Sequence, residues 1–398
     1  MSAAADMTAD RRLKLAVRRC FLCCRIYFVV TLGGFGPAAA DTVFPGHNWV
    51  EASPTSQGVD AAKLTVAVEY LKANAGRDGV RELVIVRHGR LIWSGDNIDH
   101  RHGVWSCTKS FTSTVLGLLL EDGKCALDSP AAQWAPALRP HYSGVTLRHL
   151  TTMTSGYRAV GDEPRGDYRH GPSSTPFQPA PQPLFAPPGS QYAYWDSAMN
   201  LFGLVLTRLA GEPLEALFRR RVAAPIGMTN WSWGEYAKEN GLVINGGSGN
   251  GDKHVFITAR DLARFGLLFL NRGRWNGRQL LSERWIDQAT RVQVPADMPW
   301  AQPESRIDGR GCYGCNWWVN GTTAGGQRKW PRAPASAFAA LGHNNNKCVV
   351  IPDWQMVIVR LGLDQKDRVI TDESFDRFLA KVGEAIRSRP PDSASSGP

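Results

Sequence analysis

The stretch Ser106-Cys-Thr-Lys-Ser-Phe-Thr-Ser-Thr-Val-Leu-Gly-Leu-Leu-Leu120 is the most informative part of the sequence. Its second half is apolar on nearly every side, which predicts a buried helix that ends near Gly123. A spacing of three puts the side chains of Ser106 and Lys109 on one face at the start of this helix. A serine hydroxyl becomes a nucleophile when a neighbouring base takes its proton, and burial favours a lysine as that base. The alternative is a capping serine followed by a lysine that reaches toward solvent.

Strand patterns lie on both sides of this helix. Glu82–Arg87 and Leu91–Trp93 predict an early hairpin, and Lys347–Pro352 and Met356–Leu361 predict a late one. Helical patterns occur at Ala61–Leu71, Ala198–Ala210, Pro213–Ala223, Ala259–Leu270 and Phe375–Ile386. We therefore predict a mixed α/β (α+β) domain over residues 41–388. Its antiparallel sheet comes from both ends of the chain (about 41–105 and 330–388), is flanked by helices, and has a helical region (about 106–330) inserted in it.

The two ends of the chain carry segments that we expect to lie outside this domain. Basic residues up to Arg25, the apolar run Ile26–Phe35 and the small residues Pro37–Ala40 are the three parts of an export signal. A basic extension of a cytosolic protein is the alternative. We expect residues 1–40 to be removed, and the protein to be periplasmic or secreted without stable membrane insertion. The polar segment Arg389–Pro398 predicts a disordered tail.

Composition excludes several classes of protein. The chain has 398 residues, of which 43% are hydrophobic and 21% charged, so wholesale disorder is excluded. The formal net charge is +10, but the first 40 residues hold six basic and two acidic residues, so the remainder carries +6. Because those charges are interspersed and form no stripe, we expect no nucleic-acid partner.

The cysteine and histidine patterns do not predict a metal site. Cys312-Tyr-Gly-Cys315 has the spacing of a redox pair or half of a zinc site, but no second ligand pair accompanies it. Two small residues in a glycine-rich turn is the favoured interpretation. Asp99-His-Arg-His102 fits a polar loop as well as it fits a ligand cluster. We assign no metal and no other cofactor.

Two further segments carry polar groups suited to catalysis. Pro188-Gly-Ser-Gln-Tyr-Ala-Tyr194-Trp-Asp196 precedes a helical pattern, and Tyr194 could serve as a phenolic acid or base there. Gly342-His-Asn-Asn-Asn-Lys347 leads into the late hairpin. A strand beside the serine could add a backbone N–H to that of Ser106 and so form an oxyanion hole. The alternatives are a packing role for Tyr194 and a polar turn for the third segment.

In this order, the three segments resemble those of the serine β-lactamase and penicillin-binding-protein superfamily. The similarity is greatest to its β-lactamase-related branch, which includes esterases, D-aminopeptidases and 6-aminohexanoate-dimer hydrolases. Val145–Gly156 is similar to the family segment VRHLLTHTSG, and Thr258–Leu270 and Val350–Arg360 resemble others. The resemblance covers about residues 45 to 388 and implies the β-lactamase/transpeptidase-like fold.

The resemblance also implies roles for individual residues. Ser106 would be the nucleophile, Lys109 its activating base and Tyr194 the proton shuttle, with the oxyanion between the N–H of Ser106 and an N–H near Asn346. The implied reaction is hydrolysis of a small ester or linear amide through an acyl-serine, without a cofactor. Tyr192 falls where the family has a buried aromatic residue, so it receives no catalytic role.

Two departures from the family pattern affect the expected substrate. Asp196 stands where an asparagine is usual; it could keep Lys109 protonated, shift the work of the base to Tyr194 and repel a substrate carboxylate. Asparagine side chains at family glycine positions would crowd the substrate channel or make new contacts. Trp105, Trp195, Trp317 and Trp318 could line an apolar pocket or belong to the core. The residues that we predict to bind substrate are Asp196, His343, Asn344, Asn345 and Trp318.

Other functions stay open at this point. A D,D-peptidase or β-lactamase acting on D-alanyl or β-lactam amides is the main alternative, although both departures weaken it. A non-catalytic binding module of the same fold is less favoured because the three reactive side chains are all present. The Pro- and Gly-rich stretch at 160–188 predicts a surface lid.

Overall fold

The structure is a computed structural model that describes residues 42–162, 173–247, 251–303, 305 and 307–387. The predicted signal segment and the predicted tail lie outside the described residues, as does the part 163–172 of the predicted lid. Among the helices of the described part, none combines the length and apolar character needed to cross a bilayer.

The helices and strands alternate irregularly along the chain. The α-helices are α1 (Ala61–Asn74), α2 (Thr108–Glu121), α3 (Arg139–Tyr142), α4 (Leu147–Thr151), α5 (Asp196–Ala210), α6 (Leu214–Phe218), α7 (Ala259–Leu270), α8 (Glu283–Ala289) and α9 (Asp372–Ala385). The strands are β1 (Glu82–Arg87), β2 (Arg90–Ser94), β3 (His102–Gly103), β4 (Ala159–Val160), β5 (Thr175–Pro179), β6 (Trp231–Trp233), β7 (Glu235–Glu239), β8 (Leu242–Asn245), β9 (Val255–Ile257), β10 (Arg274–Trp275), β11 (Arg278–Gln279), β12 (Trp318–Val319), β13 (Phe338–Gly342), β14 (Asn346–Ile351) and β15 (Met356–Leu361).

The main sheet joins the two ends of the domain. Its strand order is β12-β13-β14-β15-β1-β2, and all pairings are antiparallel. The central strands β14 and β15 are buried along their whole length. Cys348 faces α7, where its thiol contacts the carbonyl of Leu262, whereas the ammonium of the adjacent Lys347 lies over the ring of Phe375 in α9. Since neighbouring residues of a strand point to opposite faces, α7 and α9 cover opposite sides of the sheet.

The buried helix α2 runs through the centre of the molecule. Its residues from Thr108 to Leu119 are all buried. Its buried hydroxyls have partners: Ser110 Oγ donates to the carbonyl of Asn316 at 2.8 Å and Ser113 Oγ to that of Cys315 at 2.6 Å. At Gly117 a Cβ would lie 2.3 Å from the Trp285 indole, so the glycine allows this close packing. These contacts hold α2 against the Cys315–Asn316 segment and against Trp285.

The predicted fold class is confirmed: the domain is mixed α/β with an antiparallel sheet and flanking helices. Both predicted hairpins are present as β1–β2 and β14–β15. The inserted region also contains small sheets, β3-β9-β6, β4-β5, β7-β8 and β10-β11, which the sequence did not indicate. Strands of two to five residues are too short to show a clear alternation of apolar and polar residues, which explains the omission.

Candidate active site

Ser106 lies in a tight turn that leads directly into α2. The turn Trp105–Cys107 is a 3-10 helix, and Trp105 has a φ of 43°, in the left-handed region. A bulky residue adopts this conformation only where its surroundings enforce it. The Trp105 ring stacks on His254 with ring centroids 4.9 Å apart and meets the ring of His343 at 5.7 Å. These contacts fix the backbone that presents the partly exposed Ser106.

Lys109 connects the first two predicted segments. Its Nζ donates a hydrogen bond to Ser106 Oγ at 2.6 Å and lies 2.7 Å from Oδ1 of Asp196, the first residue of α5. The ammonium also lies over the ring of Tyr194, 4.7 Å from its centroid. The structure thus brings the predicted nucleophile, lysine, tyrosine and aspartate together around one nitrogen atom.

The charge state of Lys109 follows from this environment. Its side chain is 2% exposed and that of Asp196 is 7% exposed. Burial alone would lower the pKa of Lys109, but the carboxylate of Asp196, and to a smaller extent Tyr194 and Tyr313, raise it above the ordinary value. Lys109 is therefore an ammonium group at neutral pH. In this state it donates a hydrogen bond to the serine oxygen and does not accept the serine proton.

Aromatic rings form a wall beside this group. The ring of Trp318 stacks against Tyr194 at 6.1 Å, and Tyr313 meets both rings edge-on, at 5.1 Å from Trp318 and 6.1 Å from Tyr194. Tyr192 packs behind Tyr313 at 5.8 Å and is fully buried. Burial raises the pKa of Tyr313 well above its ordinary value, so this residue stays a neutral phenol. The wall gives the site one apolar side.

The third segment reaches the nucleophile turn through Gly342. A Cβ at Gly342 would lie 2.1 Å from the carbonyl oxygen of Val104 and 3.2 Å from the backbone nitrogen of Cys107. Only a glycine permits this approach, so the end of β13 lies directly over the turn that carries Ser106. His343, the next residue, is exposed and has its ring against Trp105.

The asparagines that follow are occupied by contacts within the protein. Asn344 and Asn345 have φ values of 59° and 56°, which asparagine tolerates better than most residues. Asn345 Nδ2 donates to Asp364 Oδ2 at 2.9 Å, and Arg360 Nη1 donates to the carbonyl of Asn344 at 2.6 Å. The side chain of Asn345 and the backbone carbonyl of Asn344 are therefore both hydrogen-bonded within the protein, to Asp364 and Arg360 respectively.

Asn346 is equally engaged, both by its backbone and by its side chain. Its backbone N–H donates to the carbonyl of His343, and its Nδ2 donates to the same oxygen at 2.7 Å. Its Oδ1 accepts from the N–H of Gly362 at 3.0 Å. The N–H predicted as the second oxyanion donor thus already has a partner in this structure.

The remaining predicted residues lie in different environments. Trp317 packs in the core against Phe269, at 4.4 Å between ring centroids, and Trp195 Nε1 donates to Asp162 Oδ2 at 2.8 Å. Cys312 and Cys315 are buried free thiols, and burial raises their pKa values to about 11 and about 12. Unreactive thiols agree with the interpretation of this motif as part of a turn.

Sequence reasoning missed several residues that shape the site. Tyr313 lies inside the Cys312–Cys315 segment, whose spacing indicates thiol or metal chemistry and gives no signal for an aromatic residue packed against Trp318. His254 and Arg360 gave no local signal, because the bend before β9 and the buried strand β15 bring them to the site from distant parts of the chain. Their positions depend on tertiary structure alone.

Comparison with known proteins relates this geometry to a family. A family model described as Beta-lactamase matches residues 67–372. Esterase EstB from Burkholderia gladioli is 29% identical over 210 residues, which cover 44% of this chain and 53% of the esterase. The D-alanyl-D-alanine-carboxypeptidase/endopeptidase AmpH from Escherichia coli (strain K12) is 34% identical over 189 residues, covering 42% of this chain and 48% of AmpH. The chain thus spans about half the length of these curated relatives.

A solved structure shows the same fold. A Bacillus anthracis protein assigned as a 6-aminohexanoate-dimer hydrolase superposes with a TM-score of 0.60 at 21% identity. The superposition covers 85% of this chain and 87% of the other. The shared fold therefore extends over nearly the whole described domain.

Proposed function

Since the chain belongs to the Beta-lactamase family of serine hydrolases, we propose that it is an exported enzyme that cleaves an ester or a linear amide of a small substrate through an acyl-enzyme on Ser106. One observation carries the proposal: Lys109 Nζ lies 2.6 Å from Ser106 Oγ and 2.7 Å from Asp196 Oδ1. Burying an ammonium group costs folding free energy. Because such groups cluster at functional sites, we infer that this one activates the neighbouring serine.

In the first step Ser106 Oγ attacks the carbonyl carbon of the substrate, its hydroxyl proton passes to the phenol oxygen of Tyr194, and that phenol gives its own proton to the leaving oxygen or nitrogen. The tetrahedral intermediate then collapses, and the bond from carbon to the protonated leaving group breaks. In the second step a water molecule attacks the acyl-serine, the bond from carbon to Ser106 Oγ breaks to release the acid, and a proton of the water, passed on through Tyr194, restores the Ser106 hydroxyl. No other reactant is required.

Lys109 acts in these steps as a fixed positive charge. It stabilises the developing negative charge on Ser106 Oγ by donating a hydrogen bond, and Asp196 keeps it protonated. Proton transfer is consequently assigned to Tyr194, whose ring lies 4.7 Å from the Lys109 ammonium.

The oxyanion hole consists, in our proposal, of the N–H of Ser106 and a backbone N–H at the Gly342–His343 end of β13. Support comes from the contact of Gly342 with the nucleophile turn, and from the engagement of the Asn346 N–H with His343. This replaces Asn346 as the second donor. Two aligned N–H groups stabilise the intermediate more than the substrate, which is the condition for catalysis.

The relatives suggest two substrate classes, and one experiment distinguishes them. EstB is an esterase, and AmpH is a D-alanyl-D-alanine carboxypeptidase. We expect the purified protein to hydrolyse 4-nitrophenyl esters of short acids with burst kinetics and to form no adduct with a fluorescent penicillin. Stoichiometric penicillin labelling without ester turnover would instead assign it to the peptidase and β-lactamase class.

Replacement of Asp196 by asparagine tests the charge state of Lys109. In the native protein the pKa of Lys109 is raised, so the lysine does not titrate between pH 6 and about 9. Without the carboxylate, burial dominates and lowers this pKa, so the amine becomes neutral, and able to act as a base, as the pH rises. We expect the acylation rate of the Asp196→Asn variant to rise about 10- to 100-fold from pH 6 to about 9. The acylation rate of the native protein should rise less over the same range.

Stopped-flow measurement of 4-nitrophenol release across this pH range checks the expectation. Asp162→Asn is the matched control, because Asp162 binds Trp195 and Ser197 and makes no contact with Lys109 among the described interactions. Parallel pH profiles for the native protein and Asp196→Asn would contradict the assigned role of Asp196.

A further inference from the structure

We propose that a pocket beside Trp318 binds a carboxylate at one end of a linear substrate whose scissile bond lies at Ser106. This inference rests on the hydrolase function proposed above and narrows its substrate class. The pocket has a volume of about 540 Å³, and its lining includes Trp318, Arg328, Lys329 and Asp372. The catalytic steps described above make no use of it.

Trp318 contacts both this pocket and Tyr194, one of the proposed catalytic residues. Its indole stacks on the ring of Tyr194, with centroids 6.1 Å apart, while the ammonium of Lys329 lies 4.6 Å from the centroid of the same indole. The wall beside the catalytic tyrosine is therefore also a wall of the pocket.

The register of the sheet gives the approximate distance between the Trp318 pocket and the turn that carries Ser106. Trp318 in β12 pairs with Ala339 in β13, and Gly342, at the other end of β13, lies over the nucleophile turn. Three residues of extended strand span roughly 10 Å. A linear substrate that follows the edge of β13 can therefore have its reacting carbonyl at Ser106 and its far end in the pocket.

The positive and negative charges around the pocket do not balance. Lys329 Nζ lies 2.9 Å from Asp372 Oδ2. Lys347 is buried on the same side of the sheet, and burial lowers its pKa to about 8; Asp372 opposes this shift, whereas the charge of Lys329 adds to it. The other acid of the lining, Asp308, is paired with Arg310 at 2.8 Å. Asp372 is thus paired with Lys329, and Lys347 has no acidic partner of its own among the described ion pairs.

The imbalance indicates the charge of the ligand. A carboxylate of the ligand would neutralise the excess of one positive charge. It would also accept a charge-assisted hydrogen bond from the ammonium of Lys329, the lysine that lines the pocket. Arg328, exposed in the lining, adds attraction during approach. Asp196 was expected to repel a substrate carboxylate, but it is paired with Lys109 and does not line the pocket.

Matched substrates test the proposal. The acyl-side pair is the 4-nitrophenyl ester of suberic acid with a free terminal carboxylate, and the same ester with a terminal carboxamide. The alcohol-side pair is acetylated 8-hydroxyoctanoic acid and its carboxamide. In at least one pair we expect kcat/KM to be about tenfold higher for the carboxylate. Equal values in both pairs would overturn the inference, whereas failure to hydrolyse any of the four would overturn the proposed hydrolase function.

Variants then assign the preference to the pocket. We expect Lys329→Gln to reduce the ratio of the two kcat/KM values about tenfold, and Asp372→Asn, which removes the competing carboxylate, to increase it. Arg332→Gln is the control: Arg332 also pairs with acids of α9, Glu373 and Asp376, but it does not line the pocket. An unchanged ratio in Lys329→Gln, or an equal loss in Arg332→Gln, would contradict the assignment.

Discussion

Ser106→Ala is expected to lower kcat/KM for ester hydrolysis by at least about 10⁴-fold and to abolish formation of an acyl-enzyme. The alanine cannot form the covalent intermediate, so only binding and the oxyanion contacts remain. The fold should persist, because Ser106 is a partly exposed residue of a turn whose backbone is held by the Trp105 contacts. Steady-state kinetics together with a thermal unfolding scan measures both effects.

Ser110→Ala is the matched control for this variant. Ser110 lies in the first turn of α2, four residues after Ser106, and its hydroxyl donates to the carbonyl of Asn316 at 2.8 Å. Its loss removes a structural hydrogen bond, which costs about 1 kcal/mol of stability, and should leave turnover within severalfold of the native value. If Ser106→Ala retained turnover similar to that of Ser110→Ala, Ser106 would not be the nucleophile.

Lys109→Met is expected to reduce kcat by about 10³-fold and also to destabilise the fold. Activity falls because the positive charge beside Ser106 Oγ is lost. Stability falls by about 3–5 kcal/mol because the variant leaves the Asp196 carboxylate buried without its partner. Kinetics and chemical denaturation are both needed, since an unfolded sample would imitate a catalytic defect.

The double variant Lys109→Met/Asp196→Asn separates these two effects. Removing the uncompensated carboxylate should recover most of the lost free energy of unfolding, because no buried charge remains at this position. Activity should stay as low as in the single variant. Recovery of activity along with stability would show that Lys109 has only a structural role.

The sequence predicted the parts of this molecule that depend on local patterns. The apolar runs of the two hairpins and the periodicity of α7 (Ala259–Leu270) determine those elements directly, and the structure confirms them. The resemblance to the β-lactamase family is confirmed by the family match over residues 67–372. The roles of Ser106, Lys109 and Tyr194 stay predictions, although the structure places the three side chains together.

What the sequence could not provide depends on contacts between distant segments. Asn344 and Asn345 were predicted to bind substrate; in the structure the Asn345 amide donates to Asp364, and the backbone carbonyl of Asn344 accepts from Arg360. Asp364 follows the last strand of the sheet and shows no motif. The left-handed backbone of Trp105 likewise depends on rings from other elements, which no local pattern reveals.

The most direct test of the central claim, that Lys109 activates Ser106, is covalent labelling with a fluorophosphonate probe, followed by intact-mass analysis and peptide mapping. We expect a single adduct on Ser106 in the native protein, and none in Lys109→Ala samples shown to be folded by circular dichroism. No adduct in the folded native protein, or equal labelling of the Lys109→Ala variant, would contradict it.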